Sequence, residues 1–79
     1  MNITKEILRK QVEILNGCTK RSLGERYYVG YENGYANLFL EVGDSGRQTV
    51  SYGNTKSELS KQISVAISIL SLEEYRNAE

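Results

Sequence analysis

Two places in the sequence hold residues that could begin nucleophilic chemistry: the lone Cys18 and the tetrapeptide Gly43-Asp44-Ser45-Gly46. A thiol or hydroxyl nucleophile needs a nearby base to take its proton, most often an imidazole. The 79 residues include no histidine. A Gly-Asp-Ser-Gly run between two apolar segments also reads as a hairpin turn, which places Ser45 in a loop. No glycine-rich stretch has the spacing of a phosphate-binding loop, and the acidic residues are scattered over faces expected to meet solvent. A single cysteine permits no internal disulfide and excludes zinc sites of the four-ligand Cys/His type. The expectation is therefore a non-enzymatic chain, with no catalytic residue, metal ligand or cofactor site.

Binding chemistry is better represented. The stretch RYYVGYENGYANLFLEV, from Arg26 to Val42, carries four of the six tyrosines and the sole phenylalanine. On a hairpin turning at Asn33-Gly34, Tyr28 and Phe39 become cross-strand neighbours on the face opposite the core. With Tyr35 and Arg47 they form a candidate protein-binding sheet face, set against the plainer reading of an aromatic pair that stabilises the sheet. A second apolar set, Val65, Ile69 and Leu72, falls on nearly the opposite side of its helix from the core stripe. It is a candidate self-association surface that would make a homodimer, set against lateral packing on the first helix. Lys20, Arg21, Arg26 and Lys56 are the candidate contacts if the partner is a nucleic acid. That alternative is disfavoured because ten basic and ten acidic residues cancel, whereas phosphate neutralisation supplies most nucleic-acid affinity. A protein partner, host or self, is the leading expectation.

The elements that must position these residues follow from periodicity. Ile3, Ile7, Leu8, Val12, Ile14 and Leu15 fill one half of a helical wheel, which predicts an amphipathic helix over Ile3–Leu15 with Asn2 as its cap and Asn16-Gly17 as its stop. Cys18–Glu25 reads as a loop. Asn33-Gly34 predicts a type I′ hairpin turn, and alternation then puts Tyr27, Val29, Tyr31, Ala36, Leu38, Leu40 and Val42 on the core face. A second hairpin with Asp44, Ser45 and Gly46 in its loop predicts strand three over Arg47–Tyr52, with Leu40 opposite Val50 and Leu38 opposite Tyr52. Thr55 and Glu58 form a capping box that opens the second helix, whose stripe is Leu59, Ile63, Ala66, Ile67 and Leu70. The fold expected is α+β: one domain over 1–79 in the order α-β-β-β-α, a three-stranded antiparallel sheet with two helices packed on one face. The longest apolar-rich run, Ile63 to Leu72, is interrupted by serines and too short to span a bilayer. With a lone thiol this points to a cytoplasmic chain with no membrane partner.

In topology this order resembles the double-stranded RNA-binding domain. Lys56 in NTKSEL stands where that family opens its second helix with a run of lysines. Ser57 and Ser60 occupy the other lysine positions, and the tight Asn33-Gly34 turn replaces the family's Gly-Pro-x-His loop. Over most of its length the chain is similar to small uncharacterised proteins encoded by bacteriophages and mobile elements of gut bacteria. Their layout is a leading helix ending in Leu-Asn (ILRKQVEILN), strands around a Gly-Tyr (NGYANLFL), and a closing Thr-Lys-x-Glu-Leu helix (NTKSELSKQISVAISIL). That resemblance implies no catalytic residues and no agreed function; an accessory role through contact with another protein is the expectation by analogy with small phage proteins of similar topology that bind host defence machinery.

Overall fold

The structure is a computed structural model that describes residues 2–19 and 25–77. Its order is α1 (Lys5–Thr19), β1 (Glu25–Glu32), β2 (Tyr35–Val42), a single 3₁₀ turn (Gly43–Ser45), β3 (Arg47–Asn54) and α2 (Lys56–Asn77). The strands form one antiparallel sheet in the order β1-β2-β3. The expected α-β-β-β-α arrangement holds. No helix among the described residues is long and apolar enough to cross a membrane.

The turn and the register of the first hairpin match their sequence signal. Asn33 and Gly34 take φ of 52° and 81°, as the type I′ turn requires. Tyr28 faces Phe39, Val29 faces Leu38 and Tyr31 faces Ala36. Leu8, Val12 and Leu15 of α1 close over Ala36 and Leu38 together with Leu59 and Ile63 of α2, and Ile3, Tyr27, Val29, Ala66, Ile67 and Leu70 pack around them. The two helices are clasped by Gln11. Its Oε1 accepts from the Ser60 hydroxyl at 2.8 Å and its Nε2 donates to the Ser64 hydroxyl at 3.0 Å.

Four expectations are corrected. Thr4, not Asn2, caps α1: its hydroxyl accepts the Ile7 N–H at 3.2 Å. Asn16-Gly17 does not end the helix, which continues to Thr19. The Asn16 side chain instead accepts the Tyr27 N–H at 2.7 Å and donates to the Tyr27 carbonyl at 3.0 Å. This two-point tie outweighs the weak preference of asparagine for a stop. Ile14, assigned to the buried half of the wheel, is exposed.

The fourth correction is the register of β3. Near the turn, Leu40 faces Gln48 and Phe39 faces Thr49, so Val50 and Tyr52 are 51% and 64% exposed rather than core. The loop closes one residue earlier than expected, with the Val42 N–H donating to the Gly46 carbonyl at 2.9 Å. This sets Arg47 opposite Glu41, a cross-strand pair of opposite charge. Further along, β3 carries one extra residue between the Leu38 and Phe39 rungs and another between Ala36 and Leu38. These two bulges shift the ladder by two residues, so that at Ala36–Asn54, beyond the predicted end of the strand at Tyr52, it reaches the register of the expected Leu40–Val50 and Leu38–Tyr52 pairs. Gly53 has φ of 76°, a left-handed conformation that glycine adopts at little cost. The N–H of Gly53 is taken by Asn37 Oδ1 at 2.7 Å.

A closed ring of side chains then joins β3 to α2. Asn54 Nδ2 donates to the Ser51 hydroxyl at 2.8 Å, that hydroxyl donates to Gln62 Oε1 at 2.6 Å, and Gln62 Nε2 donates to Asn54 Oδ1 at 2.8 Å. Asn54 Nδ2 also reaches the Ala36 carbonyl at 3.3 Å. Every polar atom of the buried Asn54 side chain is thereby used. Replacing Asn54 by alanine should cost about 1–3 kcal/mol, because it strands partners in a half-dry site. Urea unfolding of wild type and variant measures the difference.

The capping box of α2 forms as its spacing predicts. Glu58 Oε1 accepts the Thr55 N–H at 2.9 Å, and the Thr55 hydroxyl accepts the Glu58 N–H at 3.1 Å. The hydrogen bond from the Thr55 backbone holds the Glu58 carboxyl below its ordinary pKa of 4.5. A carboxylate depressed on folding contributes stability above the unfolded-state value and loses it as pH falls through the folded-state value. Glu58→Ala should therefore lower the melting temperature at neutral pH, and the gap should close in acid below the folded-state pKa. Thermal melts across that range check the sign.

Candidate functional site

The sheet face away from the helices carries the aromatic pair the sequence pointed to. The Tyr28 and Phe39 rings lie 5.4 Å apart between centroids, tilted by 33°. Phe39, expected as an open docking ring, is only 4% exposed. Three neighbours cover it. The Arg47 guanidinium sits 4.1 Å above its centroid, an arrangement favoured by the negative face of the ring. Tyr28 lies beside it. The Phe39 ring also overlies Gly30, where an added Cβ would come within 2.7 Å of Cε2. Glycine lets the ring lie flat on the neighbouring strand and shield the bare backbone. A molecule approaching this face meets Arg47 and Tyr28 before it meets Phe39. Tyr35 is exposed at the start of β2.

Gly30→Ala should destabilise by about 1–3 kcal/mol through overpacking. Combining it with Phe39→Leu should cost less than the sum of the two single changes, because the smaller side chain vacates the contested space. A double-mutant cycle by urea unfolding reads this coupling.

The helix stripe stands where it was expected. Val65, Ile69 and Leu72 are 59%, 53% and 61% exposed, and their spacing puts them on one side of α2. Helix one does not cover them. The basic candidates do not converge as a set. Lys20 and Arg21 lie outside the described residues. Arg26 is exposed on β1, and Lys56 is exposed at the opening of α2. Lys56 shares a shallow cleft of about 780 Å³ with Lys5, Thr4, Gly34 and Thr55, where the starts of both helices meet the Asn33-Gly34 turn.

One concavity had no forewarning in the residue pattern. A groove of about 440 Å³ runs between α1 and β1, with Lys5, Arg9 and Val12 on one wall and Arg26, Val29 and Tyr31 on the other. Tyr31 faces Ala36 as predicted, yet it is exposed and lies under the Lys5 ammonium, 4.5 Å from the ring centroid. Partial burial pushes its phenol pKa up. Arg9 is held by two carboxylates on its own helix. Its Nε donates to Glu6 Oε2 at 3.1 Å and its Nη1 to Glu13 Oε1 at 2.5 Å. The Arg9 hydrogen bond draws the Glu6 pKa down. Only the meeting of residues 5–13 with residues 26–31 makes this groove, so no local motif marks it. The one local hint is Asn16, an amide where the helix is expected to stop, which the structure instead ties to the β1 backbone at Tyr27.

Comparison with protein-family models, with curated proteins and with solved structures finds no match.

Proposed function

We propose that the chain is a non-enzymatic interaction module that acts through protein–protein contacts. The observation that carries this reading is the stripe of Val65, Ile69 and Leu72, more than half exposed at each position and contiguous along one helix. Each such side chain contributes roughly 1.5–3 kcal/mol when an interface buries it fully. A small domain buries a limited share of its own surface, so a partner that covers this stripe also supports the fold. The resemblance to small phage and mobile-element proteins supports an accessory role, with a host protein or a second copy on the stripe. Of the four candidate contacts for the nucleic-acid alternative, the two that are described, Arg26 and Lys56, line different clefts, and the balance of charge over the chain weighs against it.

Two paired measurements test the reading. Light scattering of the purified chain shows whether it self-associates, and capture of bacterial proteins on the immobilised chain shows whether it holds another. Val65→Asp and Ile69→Asp should leave the circular dichroism unchanged and abolish whichever association the wild type shows, by at least about tenfold for a loss of 1.4 kcal/mol or more. Association that survives both changes removes the stripe from the interface. Recovery that depends on co-purified nucleic acid and falls steeply with salt would favour the alternative.

A further inference from the structure

The edge strand β1 presents its backbone to the groove beside α1. In an antiparallel ladder the N–H and C=O of alternate residues point to the same side. Asn16 bonds both groups of Tyr27 from outside the sheet, so those of Val29 and Tyr31 point outward too. No side chain or strand among the described residues takes them. The Asn16 amide thus begins an outer rung that nothing among the described residues continues along Val29 and Tyr31. Exposed strand edges of this kind are templates for added strands, and a helix wall beside an open edge is a recurring peptide-binding arrangement.

The charges of the groove select what fits. Glu6 and Glu13 line it, but both are tied to Arg9. Lys5 at one end and Arg26 at the other have no ion pair among the described residues. Alternating N–H and C=O groups match a peptide backbone and not a phosphate chain. A second copy of β1 fits poorly. A twofold antiparallel pairing of two β1 edges would set the Lys5 end of one copy against the Arg26 end of the other, cation against cation.

We propose that the groove between α1 and the open edge of β1 binds an extended acidic peptide segment of a partner protein, which continues along Val29 and Tyr31 the rung that Asn16 begins at Tyr27. The segment forms hydrogen bonds with the outward groups of Val29 and Tyr31. Its carboxylates lie toward Lys5 and Arg26. The site is separate from the α2 stripe, so a chain can lose either one and keep the other.

Selection from a displayed library of random decapeptides on the immobilised chain tests this. The enriched peptides should carry Asp or Glu on both sides of a short β-branched or aromatic core. A synthetic peptide of the consensus sequence should bind wild type, with Kd raised at least about tenfold by Lys5→Glu/Arg26→Glu. Tyr31→Pro removes one outward N–H at an edge position where proline is tolerated, and it should weaken binding to a similar degree. If circular dichroism shows that this variant unfolds, N-methylation of the peptide core supplies the same test from the other side and should also abolish binding. A selection that yields no binders, binders without acidic residues, or binders indifferent to these changes overturns the proposal. So does a wild-type dimer dissolved by Tyr31→Pro in the absence of peptide, since the edge would then belong to a second copy. Val65→Asp serves as the control and should leave peptide binding unchanged.

Discussion

The type I′ turn at Asn33-Gly34 sets the parity of the first two strands, and most of the molecule follows from that parity. It sends Tyr27, Val29, Ala36 and Leu38 beneath the helices and turns Tyr28 and Phe39 to the other side. It also fixes which backbone groups of β1 point outward, because side-chain face and hydrogen-bond direction alternate together along a strand. A slip of one residue would bury the wrong set on both faces at once. The buried cluster that depends on it is small: three side chains from α1, two from β2 and two from α2. Little else could compensate for a lost register.

Around that frame, three asparagines complete the sheet where the strands do not. Asn16 bonds the outer edge of β1 at Tyr27, Asn37 takes the N–H that the bulge at Gly53 leaves over, and Asn54 reaches the Ala36 carbonyl. The side-chain amide carries the same donor and acceptor as the backbone, so it can stand in for a missing strand at a single rung. Asn37 and Asn54 are buried, where an unpaired backbone group would be costly. Among the described residues no buried side-chain nitrogen or oxygen is left without a partner. Polar closure of this kind matters more in a thin two-layer domain, because the apolar core is too small to absorb an orphaned group.

The same thinness explains the surface. Helix α2 carries more apolar residues than one layer can bury, and its outer stripe stays in solvent. The sheet's outer face takes the opposite course: Phe39 is covered from within by Arg47 and Tyr28 and lies against Gly30. Apolar surface left open on a helix and apolar surface closed over on a sheet imply different uses. The first can receive a partner without rearrangement. The second works mainly to hold β1, β2 and β3 together.

Features set by neighbours in sequence were legible from the residues alone. The α-β-β-β-α order, the Asn33-Gly34 turn with every rung of its hairpin, the Thr55/Glu58 capping box and the inner stripe of α2 depend on spacings of two to four residues, which a pattern records directly. The tertiary structure decided what depends on distant partners. Asn16 reads locally as a helix stop, but a strand eleven residues away recruits it and the helix runs on. Val50 and Tyr52 read as core because alternation assumes an unbroken ladder, and two bulges break it. The bulged ladder is accompanied by contacts from distant residues: Arg47 faces Glu41 and covers Phe39, and Asn37 takes up the spare N–H of Gly53. Alternation sets the face of Phe39, but its coverage depends on a guanidinium from another strand. The groove along β1 was invisible for the same reason: its walls come from separate elements, and only their packing brings them together.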